Sequence, residues 1–283
     1  MSKPSFSEDD LKYAFGLPPE EAIAFFEKKG FVISWDWKEV WKESNTHAFT
    51  VAKAMKVDVL ADIYNGLLDS LKRGESFEVF LENLKPLLMA NGWWGKKEFV
   101  NKRTGEISNI QLGSPYRLQT IYQTNLQTAY MVGRYKSMRA ASAMLPYWEY
   151  VAIMDSRTRP SHAALNGRVF RADDPIWNVI YPPNGFRCRC RVTAHTESAK
   201  DRGDFDVSDS TGHMTIVDKT WKNREGKEMR VQIQSYKDPV TGKIFSPDAG
   251  WDYNPGKAAE RAQKLLNDKI SGLPDPLKKS LHD

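Results

Sequence analysis

Two cysteines and a histidine are the side chains best placed for chemistry in this 283-residue chain. Cys188 and Cys190 are its only cysteines, and His162 closes the run Asp155-Ser156-Arg157-Thr158-Arg159-Pro160-Ser161-His162. Asn166-Gly167 follows, and then Pro182-Pro183-Asn184-Gly185-Phe186-Arg187-Cys188-Arg189-Cys190-Arg191. Residues 188–195 alternate like a strand, so successive side chains should point to opposite faces. Cys188 and Cys190 then share one face, and Arg187, Arg189 and Arg191 the other. Their strand spacing puts the cysteine Cα atoms about 6.6–7 Å apart. That is near the upper limit for a disulfide, and both thiols point the same way, so an unstrained bridge is not expected. Two readings stay open. In one, His162, Cys188 and Cys190 bind zinc with Asp155 or His195 as fourth ligand, because zinc takes such donors tetrahedrally. In the other, the cysteines pack as small hydrophobes and His162 caps or hydrogen-bonds a local turn. The Cys-x-Cys spacing departs from the usual Cys-x2-Cys knuckle.

The same residues give little support to catalysis. A Cys–His pair with Asp155 would mimic a thiol nucleophile and its base. Three arginines would depress the thiol pKa if they faced it, but alternation sets them opposite. A metal-dependent nuclease needs clustered carboxylates, and Asp173-Asp174 is the nearby pair. Adjacent residues point different ways, so that pair reads as a loop. No glycine-rich phosphate loop is present. The chain is therefore expected not to be an enzyme, with no catalytic and no cofactor-binding residue assigned. Two alternatives are kept. A metal-dependent nuclease or processing enzyme would cleave DNA when metal is added; a generic DNA-binding module would bind it salt-sensitively without cleavage.

The rest of the motif reads as scaffold. Asp155 and Thr158 suit a turn after a strand, with Arg157 pairing to Asp155 or a neighbouring acid. Pro160 suits the start of a short helix over residues 161–165, ended by Asn166-Gly167. Pro182-Pro183-Asn184-Gly185 makes a rigid turn into the cysteine strand. Before it, residues 147–154 are rich in aromatic and β-branched side chains and should form a buried strand.

The elements on either side divide by pattern. Residues 1–113 should be mainly helical. Pro18 and Pro19 precede Glu20 and Glu21, a helix start that should end near Gly30. Val59, Leu60, Ile63, Leu67, Leu68 and Leu71 recur at helical spacing up to Gly74. Phe77, Phe80, Leu81, Leu84 and Leu88 repeat the pattern, and Pro86 should kink or shorten that helix. Residues 101–106 read as a turn or hairpin tip. Ser114 and Pro115 open a long helix with the stripe Leu118, Ile121, Tyr122, Leu126, Ala129 and Val132, closed by Pro146; about 30 residues would span roughly 45 Å. Its Arg117, Arg134, Lys136 and Arg139 read as a solvated basic face rather than a nucleic-acid face. Beyond the motif, residues 201–212 read as a loop. Residues 229–236 and 240–245 flank a hairpin turn, residues 257–270 form a helix, and Gly272-Leu273-Pro274-Asp275-Pro276 is extended. The fold class is therefore α+β, with a helical N-terminal half, a long central helix and an antiparallel β-rich C-terminal half. Three regions are expected: 1–113, a core at 114–200, and a hairpin region with tail at 201–283.

Composition sets wider limits. Apolar residues make up 41% and charged residues 27%, the balance of a soluble globular chain. A net charge of +5 permits contact with nucleic acid or an acidic partner without showing it. The first ten residues lack the apolar core of a signal peptide, and no run approaches the ~20 apolar residues of a membrane span. Two cysteines fit a reducing cytoplasm. The nine tryptophans can serve as core or as interface anchors.

A second stretch, Gly250-Trp251-Asp252-Tyr253-Asn254-Pro255-Gly256, completes the picture. Trp251 and Tyr253 should dock this turn on the body by aromatic burial. Together with the run from Asp155 to Cys190 it resembles the Mu F-like phage head-morphogenesis family. That family shows an Asp-x-Arg-Thr start, a His or Cys soon after, a Gly, a Cys-Arg-Cys end and, in its Mu-like branch, a Phe/Trp-Asp-Tyr-Asn-Pro-Gly signature. The resemblance covers about residues 114–256; the helical region before it has the family's general look without a sharp motif. It implies a minor head (minor capsid) protein of a tailed bacteriophage, built into the procapsid in few copies. The implied place is the portal vertex or head interior, with roles in head assembly and DNA ejection. The implied partners are the portal protein and/or the major head protein, with packaged DNA as a further candidate and no membrane. The implied location is the host cytoplasm during assembly and then the virion. In other branches the position near His162 is Cys, an interchange a zinc ligand would tolerate.

Overall fold

The computed structural model describes residues 20–34, 48–100, 105, 107–222 and 228–272. Pro18 and Pro19, most of the 101–106 turn and the 273–276 stretch lie outside them. The helical half begins with α1 (Glu20–Glu27), whose acids sit in its first turn and whose Ala22 and Phe26 are buried. Two short parallel strands follow, β1 (Gly30–Phe31) and β2 (Ala48–Phe49). The helix α2 (Val57–Arg73) buries Val59, Leu60, Ile63, Leu67 and Leu71, and Gly74 ends it in the left-handed region at φ 65°. In α3 (Phe77–Ala90), Ser76 Oγ accepts a hydrogen bond from Val79 N–H. Pro86 does not shorten this helix, which runs on to Ala90. Pro86 and Glu82 are exposed, so water can hydrate the carbonyl that loses its donor, while buried Leu84 and Leu88 hold both halves to the core. The antiparallel ribbon β3 (Lys96–Val100) and β4 (Ile107–Gln111) brackets the expected turn, pairing Val100 with Ile107.

The central helix α4 (Pro115–Ala140) starts as its sequence dictates, with Ser114 Oγ accepting from Arg117 N–H and Pro115 in the first turn. It has 26 residues rather than about 30, hence a length of about 39 Å. The sequence shows one apolar stripe, whereas the fold also buries Thr124, Gln127, Thr128, Met131, Tyr135 and Met138. The reason is that α4 serves two cores. Its first half, through Leu118, Tyr122, Leu126 and Ala129, packs with α1, α2 and α3. Its second half, through Met131, Tyr135 and Met138, packs with Trp148, Phe170, Trp177 and Tyr181 of the β-rich half.

That half is built on β5 (Tyr147–Val151), the middle of an antiparallel trio with β6 (Arg168–Arg171) and β7 (Arg191–His195). The helix α5 (Pro160–Ala163) lies in the β5–β6 connection, and a 3-10 turn (Pro175–Asn178) follows β6. The supposed 201–212 loop holds more structure than expected: α6 (Glu197–Asp201) runs into it, and β8 (Val207–Ser208) pairs parallel with β6. A second, antiparallel sheet has the order β11-β10-β9. Its long hairpin joins β9 (Met214–Lys222) to β10 (Glu228–Lys237), and β11 is only Ile244–Phe245. The expected 229–236 strand therefore finds its main partner upstream, in β9, with Met229 opposite Trp221 and Tyr236 opposite Met214. The helix α7 (Pro255–Ser271) ends the described chain and packs on α4. Among the described residues no helix is long and apolar enough to cross a membrane.

Candidate functional site

The residues between β5 and β7 converge on one buried point. Past β5, Ala152 N–H donates to Asn166 Oδ1 (2.9 Å), and Gly167 turns the chain at φ 78° into β6. Arg159 N-terminal to α5 is fixed by Asp248 (2.9 Å), and Pro160 opens the helix that carries His162 inward. Gly185 lies under this ion pair: a Cβ there would sit 2.3 Å from Asp248 Oδ2, so any larger residue must displace that carboxylate.

The cysteines do not lie in a strand. Arg187 adopts φ 60°, which breaks the expected alternation, and β7 starts only at Arg191. The arginine can hold this conformation because its guanidinium stacks 3.9 Å from the Tyr116 ring and donates to Thr120 Oγ1 (2.8 Å). Both thiols nevertheless point inward. Cys188 Sγ is 3.8 Å and Cys190 Sγ 3.6 Å from His162 Nδ1, and all three side chains are buried. Among the described residues this is the one group of three His, Cys, Asp or Glu donors close enough to share an ion. Gln127 Nε2 of α4 donates to Cys190 O (2.6 Å), tying the loop to the central helix.

Burial opposes ionisation of Cys188, but hydrogen bonds from Cys190 and His162 and the imidazole's charge outweigh it, holding its thiol well below the ordinary range. Cys190 is driven the other way by its hydrogen bond to Cys188 and by burial. The pair thus favours one thiolate and one thiol. Tyr150 stands beside Cys190, and its hydroxyl donates to Asn184 Oδ1 (2.8 Å); burial raises its pKa well above normal. This outer layer of Tyr150 and Asn184 carries no sequence signal, because a buried strand tyrosine and a turn asparagine have commoner uses.

Neither proposed fourth ligand joins the cluster. Asp155 accepts a two-pronged contact from Arg189, whose Nη1 lies 2.8 Å from Oδ2, and a hydrogen bond from Arg157 N–H (3.0 Å). Arg189 first, and Arg157 after it, hold this carboxyl well below the usual carboxylate range. His195 Nε2 is instead 2.8 Å from Glu149 Oε2 across the β5–β7 ladder. Asp173 and Asp174 also separate: Asp173 pairs with Arg171 (3.1 Å), while buried Asp174 accepts from Ile176 N–H (2.9 Å) and Ser210 N–H (3.1 Å). Beside His162 there is a cavity of only about 10 Å³, room for about one water and not for a substrate.

Two of the four basic residues of α4, Arg117 and Arg134, are engaged inside the molecule, and Lys136 and Arg139 are exposed. Arg117 donates to Gln111 O (2.8 Å) and lies 4.8 Å from the Trp93 ring. Arg134 donates to Val192 O (3.1 Å), and Lys136 pairs with Glu21 (2.7 Å). Arg117 and Arg134 are thus tied to the body, while Lys136 holds Glu21 in an exposed pair.

The second motif is a clasp between α7 and the body. Trp251 and Tyr253 are both buried, and Trp251 meets Phe186 edge-on at 5.2 Å. Asp252 Oδ2 accepts from Gln234 N–H of β10 (3.1 Å). Asn254 Oδ1 caps α7 by accepting from Gly256 N–H (2.8 Å) and Lys257 N–H (3.1 Å), and its Nδ2 donates to Trp177 O (2.8 Å). Asn254→Ala should therefore cost about 1–2 kcal/mol for the cap, and more for the carbonyl left without a donor. Denaturant titration checks this, and an unchanged midpoint would remove the clasp's role in stability.

Residues 61–193 match the family model described as Phage Mu protein F like protein. The chain is 41% identical over 269 residues to "Putative capsid assembly protein F" of Escherichia phage Mu, covering 94% of this chain and 60% of that protein. It is 41% identical over 234 residues to the Mu-like prophage FluMu F protein of Haemophilus influenzae, covering 80% of this chain and 54% of that protein. The chain thus spans little more than half the length of these relatives. No solved structure matches. On the matched region and these two relatives, the chain is similar to the Phage Mu protein F like family.

Proposed function

We propose that this chain acts in bacteriophage head assembly as a minor head protein, built into the procapsid in few copies and associated with the portal. The observation that carries the reading is similarity over 94% of the chain to a protein whose name gives capsid assembly as its role. Both motifs support it by spending polar groups on internal bonds, Asp155 to Arg189 and Asn254 to the Trp177 carbonyl. Partner contact has candidate surfaces, such as the β3–β4 ribbon, which leaves Phe99, Val100 and Ile107 exposed. The partners in this reading are the portal protein and/or the major head protein. Packaged DNA and a part in its ejection belong to the same reading, since a chain of net charge +5 suits the DNA-filled side of a head. The test is co-expression with the portal and major head proteins of the same phage, followed by purification of procapsids. A faint, reproducible band for this chain is expected, lost when the portal is omitted. Absence from procapsids and virions, together with DNA or peptide cleavage by the pure protein, would replace this reading with the nuclease or processing enzyme. Salt-sensitive DNA binding without either would favour a generic DNA-binding module.

A further inference from the structure

We propose that His162 Nδ1, Cys188 Sγ and Cys190 Sγ together bind one zinc ion, with a solvent oxygen as fourth ligand. The geometry comes first. Zinc takes sulfur at about 2.3 Å and imidazole nitrogen at about 2.0–2.1 Å, so a tetrahedral site has S···N edges of about 3.5 Å and an S···S edge of about 3.8 Å. The two S···N separations here are 3.6 and 3.8 Å, and all donor atoms lie within 4.8 Å of one another. A lone hydrogen bond accounts for less of this arrangement. One Nδ1 proton can point well at only one thiol, yet both sulfurs crowd the same nitrogen. A single ion would satisfy all three donors.

The surroundings fit as well. The other ring nitrogen, His162 Nε2, is buried without a protein hydrogen-bond partner, and His162 lines the one-water cavity. Asn184 Nδ2 is likewise unpartnered and its residue lines that cavity. A water there would accept from both, which fixes the tautomer that presents Nδ1 to the metal. Asp155 and His195 are bound elsewhere, which leaves the fourth corner to solvent. The site joins α5 to the turn that leads into β7, segments 26 and 28 residues apart in the chain. Its role is thus to lock the motif's loop, and it stands independently of the assembly reading.

The test uses the full chain, purified with zinc in the growth medium and never exposed to chelator. Elemental analysis should find about one equivalent of zinc. Cobalt added in its place should give the thiolate-to-cobalt charge-transfer absorption of sulfur ligation. C188S, C190S and H162A should lose the metal, H162C should keep it, and D155N and H195Q should keep it in full. Each variant is checked for native circular dichroism. Less than about a tenth of an equivalent in the wild-type protein, with no cobalt charge-transfer band, overturns the site whatever the variants do. So does full occupancy in a folded C188S or C190S. Full loss in D155N or H195Q with folding intact overturns the three-residue ligand set.

Discussion

Trp148→Ala should lower the unfolding free energy by about 3–5 kcal/mol, a fall in Tm of roughly 6–10 °C for a chain of this size. Trp148 is wholly buried in β5, and its ring meets Trp177 at 5.7 Å, Tyr135 at 5.8 Å and Tyr181 at 6.1 Å. Those neighbours come from α4 and from the segment that follows β6, so the ring closes the second core between helix and sheet. Alanine would leave a cavity that three large aromatic rings cannot collapse to fill. Trp148→Phe should cost markedly less. It keeps much of the ring and removes an indole N–H that is buried with no partner. Denaturant titrations of the two variants decide the matter: equal losses would show that the indole N–H is satisfied in solution and that volume alone does not set the cost.

The second large effect is expected at Gly256. A Cβ there would lie 2.3–2.4 Å from Cβ, Cγ and Cδ1 of Tyr135, where α7 crosses α4. Real atoms cannot approach so closely, so Gly256→Ala must push the helices apart or drive Tyr135 from its position in the core. A cost of about 1–3 kcal/mol or more is expected. The cause can be isolated by a double-mutant cycle. In a Tyr135→Ala background the same alanine should cost far less, because the clashing ring is gone. Additive losses would mean that Gly256 is needed for its backbone and not for the close approach.

Local chemistry was legible wherever one residue dictates one backbone feature. Ser114 with Pro115 set the start of α4, Gly74 the end of α2, and Asn254 with Pro255 the start of α7. The inward turn of both cysteines was also legible, although the reason given by strand alternation was wrong. Arg187 holds a left-handed conformation, and what stabilises it is Tyr116, 71 residues away. No window of sequence around the cysteines contains that partner. The same limit explains the fourth-ligand candidates. Asp155 and His195 have the right chemistry and plausible spacing, but Arg189 and Glu149 claim them across the fold. It explains α4 too, which looked like a helix with one apolar stripe and proved to be shared by two cores. By itself, then, the sequence determined the α+β class, most element starts and stops, and the trio His162, Cys188 and Cys190 as the residues worth watching. Tertiary structure alone decided which donors meet, because contact between residues far apart in the chain depends on how whole elements pack, and packing energies are summed over surfaces that no short motif encodes.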